Sequence, residues 1–229
     1  MTVAIEMVSD LVCPWCWLGL RRLQAGRALA PEVETEIYFR PYELDPTIPA
    51  EGVDYRDYMT KKFGGVGAAE EDPAKNRWRA MREALERYGE DEDIPFDFEG
   101  LRHRPNTMKA HRVVHWAQGQ GLGAEVKEAI FAAYFRDHKD IGDTDVLADL
   151  AEDAGLDRDI ILKLLSSDAD HDHVKREAAT FMQMGVAGVP TFIADRRMAV
   201  QGAESAEKIA KMIRAAAKAQ PQERPASAT

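Results

Sequence analysis

The hydrophobic period of this chain changes twice along its length. An apolar, strand-like segment from Val3 to Val8 leads into a helix-like segment from Trp17 to Leu29. Val33, Thr35, Ile37 and Phe39 then alternate with Glu34, Glu36 and Tyr38, the period of two expected of a half-buried strand. Pro41 and Pro46 break that run, and the period becomes helical. Trp78, Met81, Leu85 and Tyr88 share one helical face, with Asp72-Pro73 ahead of them as cap and first-turn proline. Val126, Ile130, Ala133 and Tyr134 form a second stripe. Val146, Leu147, Leu150 and Ala151 form a third, before Gly155, and Ile160, Ile161, Leu164 and Leu165 a fourth. Towards the end the alternation returns. Val174, Ala178 and Phe181 mark a helix that Gly185 stops. Thr191–Ala194 and Met198–Gln201 read as short strands joined by a tight turn at Asp195-Arg196. Ile209, Met212, Ile213 and Ala216 give the apolar stripe of a closing helix.

This order predicts an α/β domain split in sequence, with a helical block inserted in its middle. Residues 1–48 form its first half, 49–170 the insertion and 171–219 the second half. Neither half has enough strands for a stable sheet alone. Residues 220–229, rich in proline and small polar residues, read as a disordered tail. A chain of 229 residues can bury a sizeable core without covalent staples. The net charge of −10 argues against nucleic acid and anionic membranes as partners. No apolar run approaches the ~20 residues that span a bilayer. Met1 leads directly into Val3-Ala4-Ile5 with no basic leader, so the expected location is cytoplasmic.

Only two cysteines occur, which excludes a disulfide framework and fits a reducing compartment. Both lie in Cys13-Pro14-Trp15-Cys16, at the junction of the first strand and the first helix. That placement makes Cys13 the helix N-cap, puts Pro14 where its missing N–H costs nothing, and sets Cys16 one turn along the same face. The free N–H groups of Trp15 and Cys16 are then expected to bond the Cys13 sulfur. With the helix macrodipole they favour its thiolate. Cysteines at such helix starts titrate at roughly 3.5–7.5 instead of ~8.5. The expected chemistry is a dithiol–disulfide couple with Cys13 as nucleophile and Cys16 as its resolving partner. Gly188-Val189-Pro190-Thr191-Phe192 sets a proline directly before a short strand, where the Val–Pro bond is open to either isomer because cis costs only ~0.5–1 kcal/mol.

In this order, strand, Cys-Pro-Trp-Cys, helix, helical insert and Gly-Val-Pro-Thr-Phe, the chain resembles the DsbA-like branch of the thioredoxin superfamily. More narrowly it is similar to the cytoplasmic FrnE-type dithiol–disulfide oxidoreductases. Asp10 before the first cysteine, Arg40-Pro41-Tyr42-Glu43-Leu44, Asn106-Thr107 with Ala110-His111, Gly142-Asp143 and Val200-Gln201-Gly202-Ala203 also fit. The resemblance implies a thioredoxin-like fold split by a large all-helical insertion. It implies an exposed attacking Cys13, a buried resolving Cys16, and Pro190 as a cis-proline packed against the disulfide. The Val189 backbone would bond an extended substrate segment, with Pro14 and Trp15 shaping the surface around it. The substrate would be a thiol or disulfide, protein or small molecule. No cofactor is implied beyond the Cys13–Cys16 pair, although glutathione is a candidate co-substrate. Disulfide isomerisation lies within the same chemistry. Envelope relatives carry export signals; none is expected here, so a role in secreted-protein folding is not expected.

Other readings compete. Kappa-class glutathione transferases and 2-hydroxychromene-2-carboxylate isomerases share the scaffold but typically have serine at the first cysteine. A redox-sensing module without turnover is a third possibility. Zinc would need four ligands, and only His111 and His115 stand ready to join the two cysteines, in a spacing unlike a zinc finger; no metal is expected. His111 alone is a candidate to face the active-site cleft. The Asp168–His173 run reads as acidic residues at a helix start. Asp10 either tunes Cys13 or serves only as a turn residue. Met182, Met184 and Met198 are expected in the core.

Overall fold

The computed structural model describes residues 2–63 and 73–219. The expected cap at Asp72 and the expected disordered tail lie outside the described residues. Strand β1 (Thr2–Ser9) buries Val3, Ile5 and Met7 on one face. Helix α1 (Pro14–Ala28) starts from Cys13 as N-cap, with Pro14 where the helix makes no use of an N–H. Strand β2 (Glu34–Pro41) then runs parallel to β1, pairing Ile5 with Ile37 and Met7 with Phe39. A parallel pair needs a crossover, and α1 supplies it.

The chain next leaves the sheet. It forms β3 (Val53–Asp54), α2 (Tyr55–Phe63), α3 (Pro73–Asp91), β4 (His103–Arg104), α4 (Met108–Gln118), α5 (Gly123–Phe135), α6 (Thr144–Asp153) and α7 (Arg158–Leu165). It returns through α8 (His171–Gln183), β5 (Thr191–Ala194), β6 (Met198–Gln201) and α9 (Ala206–Ala219). The main sheet has the order β2-β1-β5-β6, with β5 antiparallel to both β1 and β6. Asp195 and Arg196 both adopt positive φ, which turns β5 tightly into β6.

Alternation along β1 assigns the two faces. Val3, Ile5 and Met7 join Leu20 and Leu23 of α1 and Ile209 and Ile213 of α9 in the main core. Val8 points the other way, onto Tyr42 and Phe181 of α8. Gly185, at φ 89°, ends α8 where a left-handed residue is needed.

The insertion departs from the all-helical expectation at one point. Val53 and Asp54 pair with Arg104 and His103, so a two-residue ladder ties the start of the α2–α3 excursion to its end. Aromatic packing then joins the insertion to α1. The Trp17 ring meets Phe96 edge-on at 5.3 Å and stacks on Phe131 and Phe135, while its Nε1–H donates to Glu128 at 2.7 Å. The residue after Cys16 is thus the plug that locks α1 to the helical block. Expectations about burial fail at several positions, and Tyr88 of the α3 stripe is one of them. Ile160 is exposed, because the short α7 turns Ile161, Leu165 and part of Leu162 to the core instead. Met182 and Met184 are exposed too, because Val174, Ala178 and Phe181 already fill the buried stripe of α8.

Candidate functional site

Two segments distant in sequence meet at the end of β1. Beyond Ser9 the chain turns, with the Cys13 N–H donating to the Asp10 carbonyl at 3.2 Å, and enters α1. Beyond Gly185 it runs to Val189–Pro190, whose peptide bond is cis, and enters β5. Antiparallel pairing of β5 with β1 at Val8–Thr191 sets these two turns side by side. Gly19 of α1 makes the approach possible, since a Cβ there would stand 2.7 Å from Pro190 Cγ. The Cys13 thiol donates a long sulfur bond of 3.7 Å to the Val189 carbonyl.

Both cysteines are free thiols. The sulfur of Cys13 takes no cap bond, contrary to the sequence expectation. Its backbone is extended, the Cys16 N–H is used by the Cys13 carbonyl at 2.9 Å, and the thiol turns to Val189 instead. Cys13 is also not the exposed group expected. Only 4% of it is accessible, because the cleft residues and Val189 close around it. Cys16 is fully buried. Burial pushes its thiol well above the usual cysteine range, and the neighbouring Cys13 adds to this. The Asp10 N–H and the charge of Lys127 oppose the shift but do not overcome it.

Beneath the pair lies a group of buried charges. Lys127 of α5 is 1% exposed, with its ammonium 5.3 Å and 5.5 Å from the Phe39 and Phe131 ring centres. Burial pushes it down to about 8, against the pull of Cys16 and Asp10. The Asp10 carboxylate accepts from the Leu44 N–H at 2.8 Å and lies 3.5 Å from His111 Nε2. Burial by itself would raise this carboxyl. His111, the charge of Arg104 and the Leu44 N–H together hold it below its ordinary value. Asp10 is thus a turn residue through its main chain and a buried counter-charge through its side chain. Its carboxylate bonds Leu44, not Cys13.

His111 is buried on α4 between the Tyr42 carbonyl, 3.1 Å away, and Asp10. It does not line the cleft beside Cys13. Its place on the buried face of α4 puts it below the site rather than in it. His115 lies instead beside His173, with ring centres 5.1 Å apart.

A cleft of about 250 Å³ opens at Cys13, bounded by Pro14, Trp15 and Val189 on the thioredoxin side and by Tyr58, Trp78 and Arg104 on the insertion side. Trp15 packs edge-on against Tyr88 at 6.2 Å. Arg104 and Lys127 escaped the sequence reading. Arg104 sits in a two-residue strand, too short for a period to betray its burial. For Lys127 a signal existed, since α5 is apolar nearly all round and a helix of that kind is buried on every side.

Comparison with known proteins agrees with this architecture. The DSBA-like thioredoxin domain matches residues 4–214. YwbO of Bacillus subtilis strain 168, an uncharacterized protein, is 28% identical over 196 residues, covering 84% of this chain and 87% of that protein. The crystal structure of the probable DsbA oxidoreductase SCO1869 from Streptomyces coelicolor superposes with a TM-score of 0.84 at 26% identity, over 99% of this chain and 94% of that one. The cytosolic disulfide reductase DsbM of Pseudomonas aeruginosa, solved with GSH, is similar in fold, with a TM-score of 0.57 and 20% identity over 95% of this chain and 98% of that one. The chain belongs to the DSBA-like thioredoxin domain family.

Proposed function

We propose that the protein is a thiol–disulfide oxidoreductase of the cytoplasmic FrnE type, cycling Cys13 and Cys16 between dithiol and disulfide. Cys13, in its thiolate form, attacks a substrate disulfide. The substrate S–S bond breaks, one thiolate leaves, and a mixed disulfide forms on Cys13. Cys16 then gives up its proton, attacks the Cys13 sulfur and expels the second thiolate. The protein has lost two electrons and the substrate has gained them. Running the steps backwards oxidises a dithiol.

The observation that carries this reading is the placement of the two thiols together at the α1 start, one at the edge of a cleft and the other fully buried. A buried thiol held protonated does not compete for substrate, and it becomes useful once the first sulfur carries a mixed disulfide. Pro14, Trp15, Val189 and Pro190 frame the approach to Cys13. The cytoplasmic location is part of this proposal and rests on the sequence reading. Among the described residues no helix is long and apolar enough to cross a membrane. A glutathione-dependent transferase or isomerase would have no use for Cys16.

The test is turnover of a disulfide substrate with an external reductant by the wild type, Cys13→Ser and Cys16→Ala. Loss of turnover in Cys13→Ser, with a stable mixed disulfide trapped on Cys13 in Cys16→Ala, is expected. Full turnover in Cys16→Ala would replace this reading with single-thiol glutathione chemistry.

A further inference from the structure

The chain carries 40 acidic residues against 30 basic ones, yet the cleft at Cys13 reverses that balance. Among its described lining residues are Lys62 and Arg104, and no aspartate or glutamate. Arg104 is 5% exposed and its Nε and Nη1 have no hydrogen-bond partner. Tyr58 lies against its guanidinium at 5.1 Å, the Tyr58 and Tyr134 side chains also interact with it, and the β3–β4 ladder fixes its backbone, which leaves Nε–H and Nη1–H as the unpaired donors. Asp10 is the carboxylate that acts on it electrostatically, and that group is already bonded to the Leu44 N–H. A buried guanidinium with idle donors is a strong partner for an oxyanion. The rest of the wall is aromatic and apolar, including Trp78, Phe98 and Tyr134. A cavity of about 150 Å³ encloses a benzene ring. The space of about 250 Å³ here therefore has room for one ring and a short polar arm.

We propose that this cleft binds a small aryl disulfide bearing a carboxylate, with the ring among the aromatic walls, the carboxylate on Arg104 and the sulfur at Cys13. The proposal rests on the redox reading of the cysteine pair and narrows its substrate class. Cys13 thiolate attacks one sulfur, the S–S bond breaks, and the outer arylthiolate departs past Lys62. Cys16 releases its proton to water and attacks the Cys13 sulfur. The second arylthiolate leaves with the bonding pair. One diaryl disulfide becomes two arylthiolates, and the protein dithiol becomes a disulfide.

The experiment compares 4,4′-dithiodibenzoate with its neutral diamide as oxidants of the reduced full-length protein, each rate normalised to the same probe's reaction with free dithiothreitol. The wild type is expected to prefer the dicarboxylate at least tenfold. Arg104→Gln should bring the ratio close to one, and Arg104→Lys should keep much of it. Thermal melts establish that each variant is folded. Calorimetry of 4-mercaptobenzoate with the Cys13→Ser protein gives a readout without turnover, and binding is expected there and lost when Arg104→Gln is added. Equal normalised rates for the two probes in the wild type would overturn the carboxylate assignment while leaving the redox reading intact. No reaction with either probe beyond that of Cys13→Ser would instead overturn the redox reading, and this proposal with it. A cysteine peptide disulfide with an acidic neighbour serves as a further arm. If it matched the aryl probe with the same dependence on Arg104, the small-molecule assignment would fall.

Discussion

Replacing Lys127 with methionine removes a buried cation while keeping a flexible, unbranched stem in its place. Displacing an amine from its ordinary 10.5 to about 8 corresponds to roughly 3 kcal/mol of penalty on the charged form in the folded protein. The folded chain therefore holds fewer protons than the unfolded chain between pH 8 and 10.5, and this group makes stability rise with pH across that window. Methionine removes the penalty but also the two ring contacts of the ammonium, each worth about 0.5–1 kcal/mol. Lys127→Met should thus be more stable than wild type by roughly 1–2 kcal/mol at pH 7. That advantage should largely disappear between pH 7 and pH 10, since the lysine approaches neutrality in both states. Urea unfolding of the two reduced proteins at intervals from pH 6 to 10 measures the difference. Cys16 and the tyrosines titrate in both proteins and largely cancel in it. A difference that stays flat across the range would refute the argument, because it would mean that the ammonium keeps its water.

Two further outcomes follow from the same geometry. Gly19→Ala gains about 1 kcal/mol of helix propensity but drives a Cβ to within 2.7 Å of the rigid Pro190 ring, and overpacking of that kind costs about 1–3 kcal/mol. A lower melting temperature and slower disulfide exchange are expected together; unchanged values for both would show that α1 and the Pro190 turn do not press on each other. Asp10→Asn leaves Arg104 and Lys127 without the buried carboxylate that faces them, at a cost of roughly 3 kcal/mol at pH 7. Because the Asp10 carboxyl is held below its ordinary value, its contribution is present above about pH 4 and fades as pH falls through the folded value. Acid titration of stability should accordingly be shallower in Asp10→Asn than in wild type.

How far the sequence could be read depends on how local each signal was. Thr191–Ala194 and Met198–Gln201 emerge with the limits expected from the alternation, because a turn at two positive-φ residues leaves little freedom in register. The order of the four main-sheet strands and the helices beside them followed from the change of period together with the cysteine motif, whereas the two-residue strands β3 and β4 were too short to show one. The polar interior did not. Asp10, Arg104, His111 and Lys127 come from four separate segments, and no period or spacing announces that they share one buried region under the cysteines. The failed cap bond has the same origin. Whether a sulfur turns toward helix N–H groups or toward Val189 depends on a loop 176 residues away. Surface side chains misled for a different reason: Ile160 and Met182 sit next to true core positions, and apolar character alone does not separate neighbours on a short helix.

The account stands on Cys13 and Cys16 acting as one two-electron couple. Equilibrating the protein with glutathione buffers of graded potential, quenching with acid and weighing the intact chain tests this directly. The account predicts a single transition in which both thiols disappear together, with the loss of two hydrogens and no attached glutathione at the end point. Two cysteines that acquire glutathione independently, or that stay reduced at every potential, would contradict it.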